Sequence, residues 1–250
     1  QGHFPVGGPV TNATEQTRLF NTLRIRDPYV GIPELGLKAV ITGWPNQNDD
    51  TLIHHAMKSG VIVEVGSFLG RSVIAMAKAN PDAIFYCVDT WLGSPEIPID
   101  ANTTVKFGRP NYYERFLTNM LAAGIADRVF PVCQTSTSAA VLLKRWGVVA
   151  DMIYVDGGHN YSECFSDLVH YSYVLSHWGV IVGDDFDAGF PGVVTAAQRF
   201  AFEGNMRLTS NGDGKFVLDQ AEGRQSLWPG IRMHKAAQMI AVQPAALEIP

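Results

Sequence analysis

The chain has 250 residues, 46% hydrophobic and 17% charged, a balance that supports a sizeable folded core in one large domain with at most a small appendage. A net charge of −5, with no basic run, argues against a nucleic-acid surface, because phosphate binding needs clustered Lys and Arg. No apolar run approaches the roughly 20 residues that cross a bilayer, and no basic-then-apolar opening suggests a signal peptide. Cys87, Cys133 and Cys164 lie in apolar stretches without zinc spacing and read as reduced core thiols of a cytoplasmic protein.

Gln1-Gly2-His3, without an initiator Met, reads as a tag remnant. Residues 1–48 are expected to form an N-terminal extension, a lid or partner-contacting arm, with one helical window at Thr14–Arg24. Pro33–Gly43 is ambiguous and Trp44-Pro45-Asn46 reads as a turn. Asp49 or Asp50 is placed to cap a helix over Thr51–Lys58 that Gly60 ends. Val61–Val65 is an apolar run broken only by Glu64 and entering Gly66 and Gly70, the pattern of a buried strand followed by a tight backbone turn. A helix follows over Ala75–Ala79.

Ile84–Asp89 is a second strand, and Trp91–Pro110 a long loop of the kind that usually carries function. Asn111–Ala123 has helical spacing and stops at Gly124. Val129–Cys133 is a third strand, Ser138–Trp146 a helix, and Met152–Asp156 a fourth strand. Ser162–Ser176 reads as a long helix, and Val180–Val182 begins a fifth strand that runs into Gly183-Asp184-Asp185. After the Ala188–Gly192 loop comes a helix near Val193–Glu203. A hairpin follows, Met206–Thr209 with Lys215–Leu218 around Asn211-Gly212-Asp213-Gly214. Residues 221–250 form a tail with a weakly amphipathic piece at Ile231–Val242. The strand–helix rhythm over 49–220 predicts a doubly wound, mostly parallel α/β sheet with a C-terminal antiparallel hairpin, its ligand outside the carboxyl ends of the strands.

Three of those ends are acidic: Asp89, Asp156 and the pair Asp184-Asp185. A single acid there can simply cap the next helix. Crowded carboxylates repel and are costly to bury unless a positive charge sits among them, which a divalent cation held by oxygen ligands would supply. His159, in Asp156-Gly157-Gly158-His159, adds a candidate base one turn away. His54, His55, His170, His177 and His234 have no such company and read as structural.

The blocks Glu64-Val65-Gly66-Ser67-Phe68-Leu69-Gly70-Arg71-Ser72, Val88-Asp89-Thr90-Trp91, Tyr154-Val155-Asp156-Gly157-Gly158-His159 and Gly183-Asp184-Asp185-Phe186 resemble class I S-adenosylmethionine-dependent methyltransferases. Within them the likeness is to the metal-dependent O-methyltransferase branch, which includes catechol-type enzymes and enzymes that methylate sugar hydroxyls of natural products. The resemblance covers roughly residues 50–220 and implies a seven-stranded Rossmann-like sheet. Gly66 and Gly70 stand four apart, so the G-x-G-x-x-G dinucleotide spacing is missing.

The resemblance also implies roles. Glu64, Gly66, Ser67, Gly70 and Ser72 would hold the methionine end of the cofactor. Asp89 would take the ribose hydroxyls beside Thr90, Trp91 would pack on the adenine or serve as a core aromatic, and Ser136 would lie near the adenine edge. Asp156, Asp184 and Asp185 would bind Mg²⁺ or another divalent cation, with Asp156 also lining the cofactor, and His159 would act as the base. Catechol-type enzymes carry Lys at the position of His159 and Asn at that of Asp185. His keeps a titratable group nearer neutrality, and Asp adds negative charge to the metal site. The role of Asp187 stays open.

The expected activity is metal-dependent methyl transfer to a small-molecule hydroxyl, on a sugar, a polyhydroxylated natural product or a catechol. No nucleic acid or membrane is expected as a partner; a homo-oligomer is allowed. Two rivals are a nicotinamide-dependent oxidoreductase, which Asp89 would serve equally well, and a non-catalytic binding module on the same fold.

Overall fold

The computed structural model describes residues 13–41, 48–94, 100–220 and 226–229. The elements run α1 (Ala13–Leu23), α2 (Asp50–Ala56), β1 (Val61–Val65), α3 (Arg71–Ala79), β2 (Ile84–Asp89), β3 (Val105–Lys106), β4 (Arg109–Pro110), α4 (Tyr112–Ala122), β5 (Val129–Cys133), α5 (Ser136–Trp146), β6 (Ala150–Val155), α6 (Tyr161–Tyr171), β7 (Leu175–Gly183), α7 (Pro191–Gly204), β8 (Arg207–Thr209) and β9 (Phe216–Asp219). The expected turn at 44–46, the tag remnant and the amphipathic piece at 231–242 lie outside the described residues.

Seven strands form one sheet in the order β5-β2-β1-β6-β7-β9-β8, with β3 and β4 a separate small hairpin. The first five are parallel, and β9 joins β7 antiparallel. β1 is fully buried, as its apolar run requires for a strand covered on both faces. One face packs on α1, α5, α6 and α7 through Phe20, Leu143, Leu168 and Phe200. The other packs on α2, α3 and α4 through Leu52, Val73, Phe116 and Met120. Burying each such side chain contributes about 1.5–3 kcal/mol. Among the described residues no helix is long and apolar enough to cross a membrane.

Several expectations shift. The third helix starts at Arg71 rather than Ala75, because Gly70 at φ +80 turns the chain straight into it. The sixth ends at Tyr171, and β7 begins at Leu175 instead of Val180, because Leu175 pairs with Ala150 across an irregular register. Asp49 sits at the N-cap of α2, but its carboxylate goes to Arg71 (2.9 Å) rather than to a helix amide. α1 packs on the sheet: Phe20 is buried against Tyr86 and Phe130, and Gln16 bonds Gly147 O and Val149 N just ahead of β6. Cys87 and Cys164 are buried, whereas Cys133, the last residue of an edge strand, is exposed.

Candidate functional site

Strand register assembles the site. Val65 pairs with Val88 on one side and Val155 on the other, and Val155 pairs with Gly183. The next residues, Gly66, Asp89, Asp156 and Asp184, therefore share one rim at the carboxyl ends. The ladder continues through them: Gly66 N donates to Val88 O (2.9 Å), Asp156 N to Val65 O (2.9 Å) and Asp184 N to Val155 O (3.0 Å). This rim flanks β1, whose neighbours β2 and β6 come from opposite windings of the sheet.

The loop after β1 is shaped by glycine. Gly66 has φ +89, and a Cβ there would stand 1.9 Å from Asp156 O. Glu64 is fully buried, and Ser72 Oγ donates to its Oε1, while Oε2 has no hydrogen-bond partner among the described residues. Asp89 accepts from Phe68 N (2.8 Å) and Trp91 N (2.7 Å), one on each oxygen, with the Thr90 amide also close to the carboxylate. Burial pushes the Asp89 carboxyl above its ordinary range, and those amides pull it back.

Burial likewise raises Glu64 from 4.5 to about 7; the Ser67 and Ser72 hydroxyls oppose the shift and Asp89 adds to it. Between those pH values the unfolded chain ionises Glu64 and the folded chain keeps it neutral. The unfolded state therefore binds fewer protons, and stability falls as pH rises, by about 3 kcal/mol in all. Glu64→Gln removes this contribution. Urea unfolding at about pH 5 and about pH 7.5 should show the variant gaining on wild type at the higher pH; an equal difference at both would refute the shift.

The acidic cluster is arranged differently from the expectation. Asp156, His159 and Asp185 come together, with one ligand atom from each within 4.8 Å of the others, and His159 Nε2 stands 3.0 Å from Asp185 Oδ2. Two carboxylates and an imidazole form a donor set that fits a divalent cation. Burial, then the carboxylates of Asp184, Asp185 and Glu64, hold the Asp156 carboxyl well above the usual range, against the pull of Lys215.

Asp184 does not share that meeting point. Lys215 Nζ (2.9 Å) holds its Oδ1 and the Tyr154 hydroxyl (2.7 Å) its Oδ2, and all three side chains are buried. The loop carrying His159 is pinned by α6, where Asn160 caps the helix by accepting from Glu163 N (2.9 Å). The His159 ring packs on Phe190 at 5.0 Å.

Two expected cofactor contacts are otherwise engaged. Trp91 is 1% exposed, wedged against Tyr113 and Phe116 with its indole N–H on Phe68 O (2.7 Å), so in this conformation it is a core aromatic. The Ser136 hydroxyl donates to Asp167, a buried acid whose carboxyl desolvation raises to about 6. Thr90 lies half-buried beside Asp89, and Ser67 is buried in the loop, its carbonyl accepting from Gly70 N (2.7 Å). Asp187 caps its own turn, accepting from Gly189 N (2.6 Å). Sequence reasoning missed Tyr154, Lys215 and Asp167. Alternation could have found Tyr154, two residues before Asp156 on the same face of β6.

Residues 63–186 match the family profile described as a methyltransferase domain. No curated protein sequence matches the chain. Among solved structures, cofactor-bound Rv0187 from MTB superposes with a TM-score of 0.54 at 15% identity, covering 83% of this chain and 97% of that one. An O-methyltransferase from Bacillus cereus in complex with SAH gives 0.53 at 13% identity, over 83% and 91%. The calicheamicin methyltransferase CalS11 gives 0.51 at 20% identity, over 84% and 93%. At these identities the likeness establishes the fold.

Proposed function

We propose that this chain is a class I S-adenosylmethionine-dependent methyltransferase and that it methylates a hydroxyl oxygen of a polyhydroxylated small molecule with the help of a divalent cation. One observation carries the reading: the donor atoms of Asp156, His159 and Asp185 converge on the rim that the Glu64–Ser72 loop and Asp89 border. The glycine-shaped loop, the rim carboxylate of Asp89 and the buried Glu64 oxygen suit a donor with ribose hydroxyls and a cationic methionine end.

Bound S-adenosylmethionine would supply the methyl group to an acceptor oxygen, the new O–C bond replacing the S–C bond and S-adenosylhomocysteine leaving. A divalent cation held by Asp156 and Asp185 would lower the pKa of a coordinated hydroxyl and fix its oxygen. His159 accepts the hydroxyl proton, while Asp185 orients its imidazole through Nε2 and stabilises the imidazolium that results. An aliphatic hydroxyl is less acidic than a phenol and leans harder on both groups. The segment just before β3, with Asn102, Thr103 and Thr104, offers polar groups suited to a sugar-like acceptor.

The test is to incubate the protein with S-adenosylmethionine and a panel of glycosides and catechols, with and without chelator. Metal-reversible formation of S-adenosylhomocysteine and a methyl ether is expected. Tight NAD binding by calorimetry, with none of S-adenosylhomocysteine, would overturn the reading in favour of an oxidoreductase. Full turnover in chelator would remove the metal from it.

A further inference from the structure

We propose that Asp184 is not a ligand of the divalent cation but the pivot that aims Asp185 at it, locked in that role by the buried ammonium of Lys215. The inference rests on the metal-assisted reading above and assigns two residues within it. Asp184 Oδ1 accepts from Lys215 Nζ (2.9 Å) and from Asp185 N (3.0 Å), and Oδ2 accepts from the Tyr154 hydroxyl (2.7 Å). A carboxylate offers about four lone-pair positions, so three are spent on protein donors. Lys215 is 1% exposed and Asp184 7%, so the pair is closed off from solvent.

The same carboxylate sets the direction of its neighbour. Asp185 has φ +58, a left-handed backbone that L-residues rarely hold without support. Its N–H is fastened to the Asp184 side chain, and the next amide, Phe186 N, is fastened to Gly214 O (2.8 Å), one residue before Lys215. Lys215 N in turn bonds Asp213, whose other oxygen takes the Thr51 hydroxyl of α2 (2.5 Å). The left-handed turn sends the Asp185 side chain to His159 while Asp184 faces the hairpin. Charge balance agrees. Asp184 and Lys215 cancel, which leaves two carboxylates, Asp156 and Asp185, to match a doubly charged cation.

The experiment is Mn²⁺ binding to the full chain, followed by calorimetry and by the spin-resonance signal of the bound ion. Asp156→Ala and Asp185→Ala are expected to weaken binding at least about tenfold, as loss of a ligand should. Asp184→Asn, which keeps the oxygen that Asp185 N and Lys215 use, is expected to stay within about threefold of wild type. Asp184→Ala, which removes that oxygen, is expected to weaken binding about tenfold by releasing Asp185. A ligand role predicts that both Asp184 variants lose binding equally.

If Asp184→Asn fails to fold, the charge-neutral double variant Asp184→Asn/Lys215→Met takes its place, with the same expectation. A folded Asp184→Asn or double variant that loses Mn²⁺ as Asp185→Ala does would overturn the proposal alone. So would an Asp184→Ala variant with wild-type affinity. A wild-type chain that binds no Mn²⁺ would overturn the metal reading and this proposal together.

Discussion

Replacing His159 with Ala is expected to lower kcat for methyl transfer by about 10²–10⁴-fold while leaving binding of S-adenosylhomocysteine within about twofold of wild type. The split follows from geometry. His159 faces Asp185 and Phe190 beyond the end of β6, whereas the Glu64–Ser72 loop and Asp89 are built from β1 and β2. Its imidazole is held at one nitrogen by Asp185 and along its face by Phe190, so little reorganisation is needed before it takes a proton. The pH profile should change as well. The acidic limb of kcat, where the imidazole is protonated and cannot act as base, should disappear in the variant. Unchanged turnover would remove His159 from the chemistry, and weakened donor binding would recast it as a cofactor contact.

The second large effect is expected at Gly66. An alanine Cβ there would lie 1.9 Å from Asp156 O and 2.6 Å from its carbonyl carbon, and both neighbours are backbone. Only separation of the ends of β1 and β6 relieves that contact, and the φ of +89 adds strain of its own. Gly66→Ala should cost about 3–5 kcal/mol of stability, at the upper end for a point substitution. Because Val65 O and Asp156 N are bonded beside it, the variant should also lose binding of S-adenosylhomocysteine by more than about tenfold. Gly212→Ala is the control. It has a similar φ of +77 but nothing within 4 Å of the added carbon, so it should cost only about 1–2 kcal/mol and spare binding. Denaturant unfolding and calorimetry on the two variants check both statements, and equal effects would show that backbone strain rather than the Asp156 contact matters.

Much of the frame was legible because it is written locally. Val61–Val65, Ile84–Asp89 and Met152–Val155 are apolar runs that end in glycine or acid, and parallel pairing alone carries those ends to one rim. The donor-side acids and the nearness of His159 to the acidic strand ends could be read in the same way. What escaped depends on contacts far apart in sequence. Leu175–Gly179 continues the apolar spacing of α6, and only its pairing with β6 turns it into strand. Lys215 directly follows the Asn-Gly-Asp-Gly turn, where a lysine ordinarily faces water. Its burial follows from β9 lying between β7 and β8. Nothing local distinguishes Asp184 from Asp185. A left-handed backbone at the second acid parts them, and that conformation is imposed by the hairpin.

The late position of that hairpin has a consequence for how the protein is made. Translation delivers Asp156, Asp184 and Asp185 some thirty to sixty residues before Lys215, so these acids are synthesised ahead of the ammonium that partners Asp184. Until β9 pairs onto β7, Asp184 lacks the Lys215 ammonium that neutralises it. A product truncated before Lys215 would carry the Glu64–Ser72 loop yet lack the ion pair that closes the acidic corner.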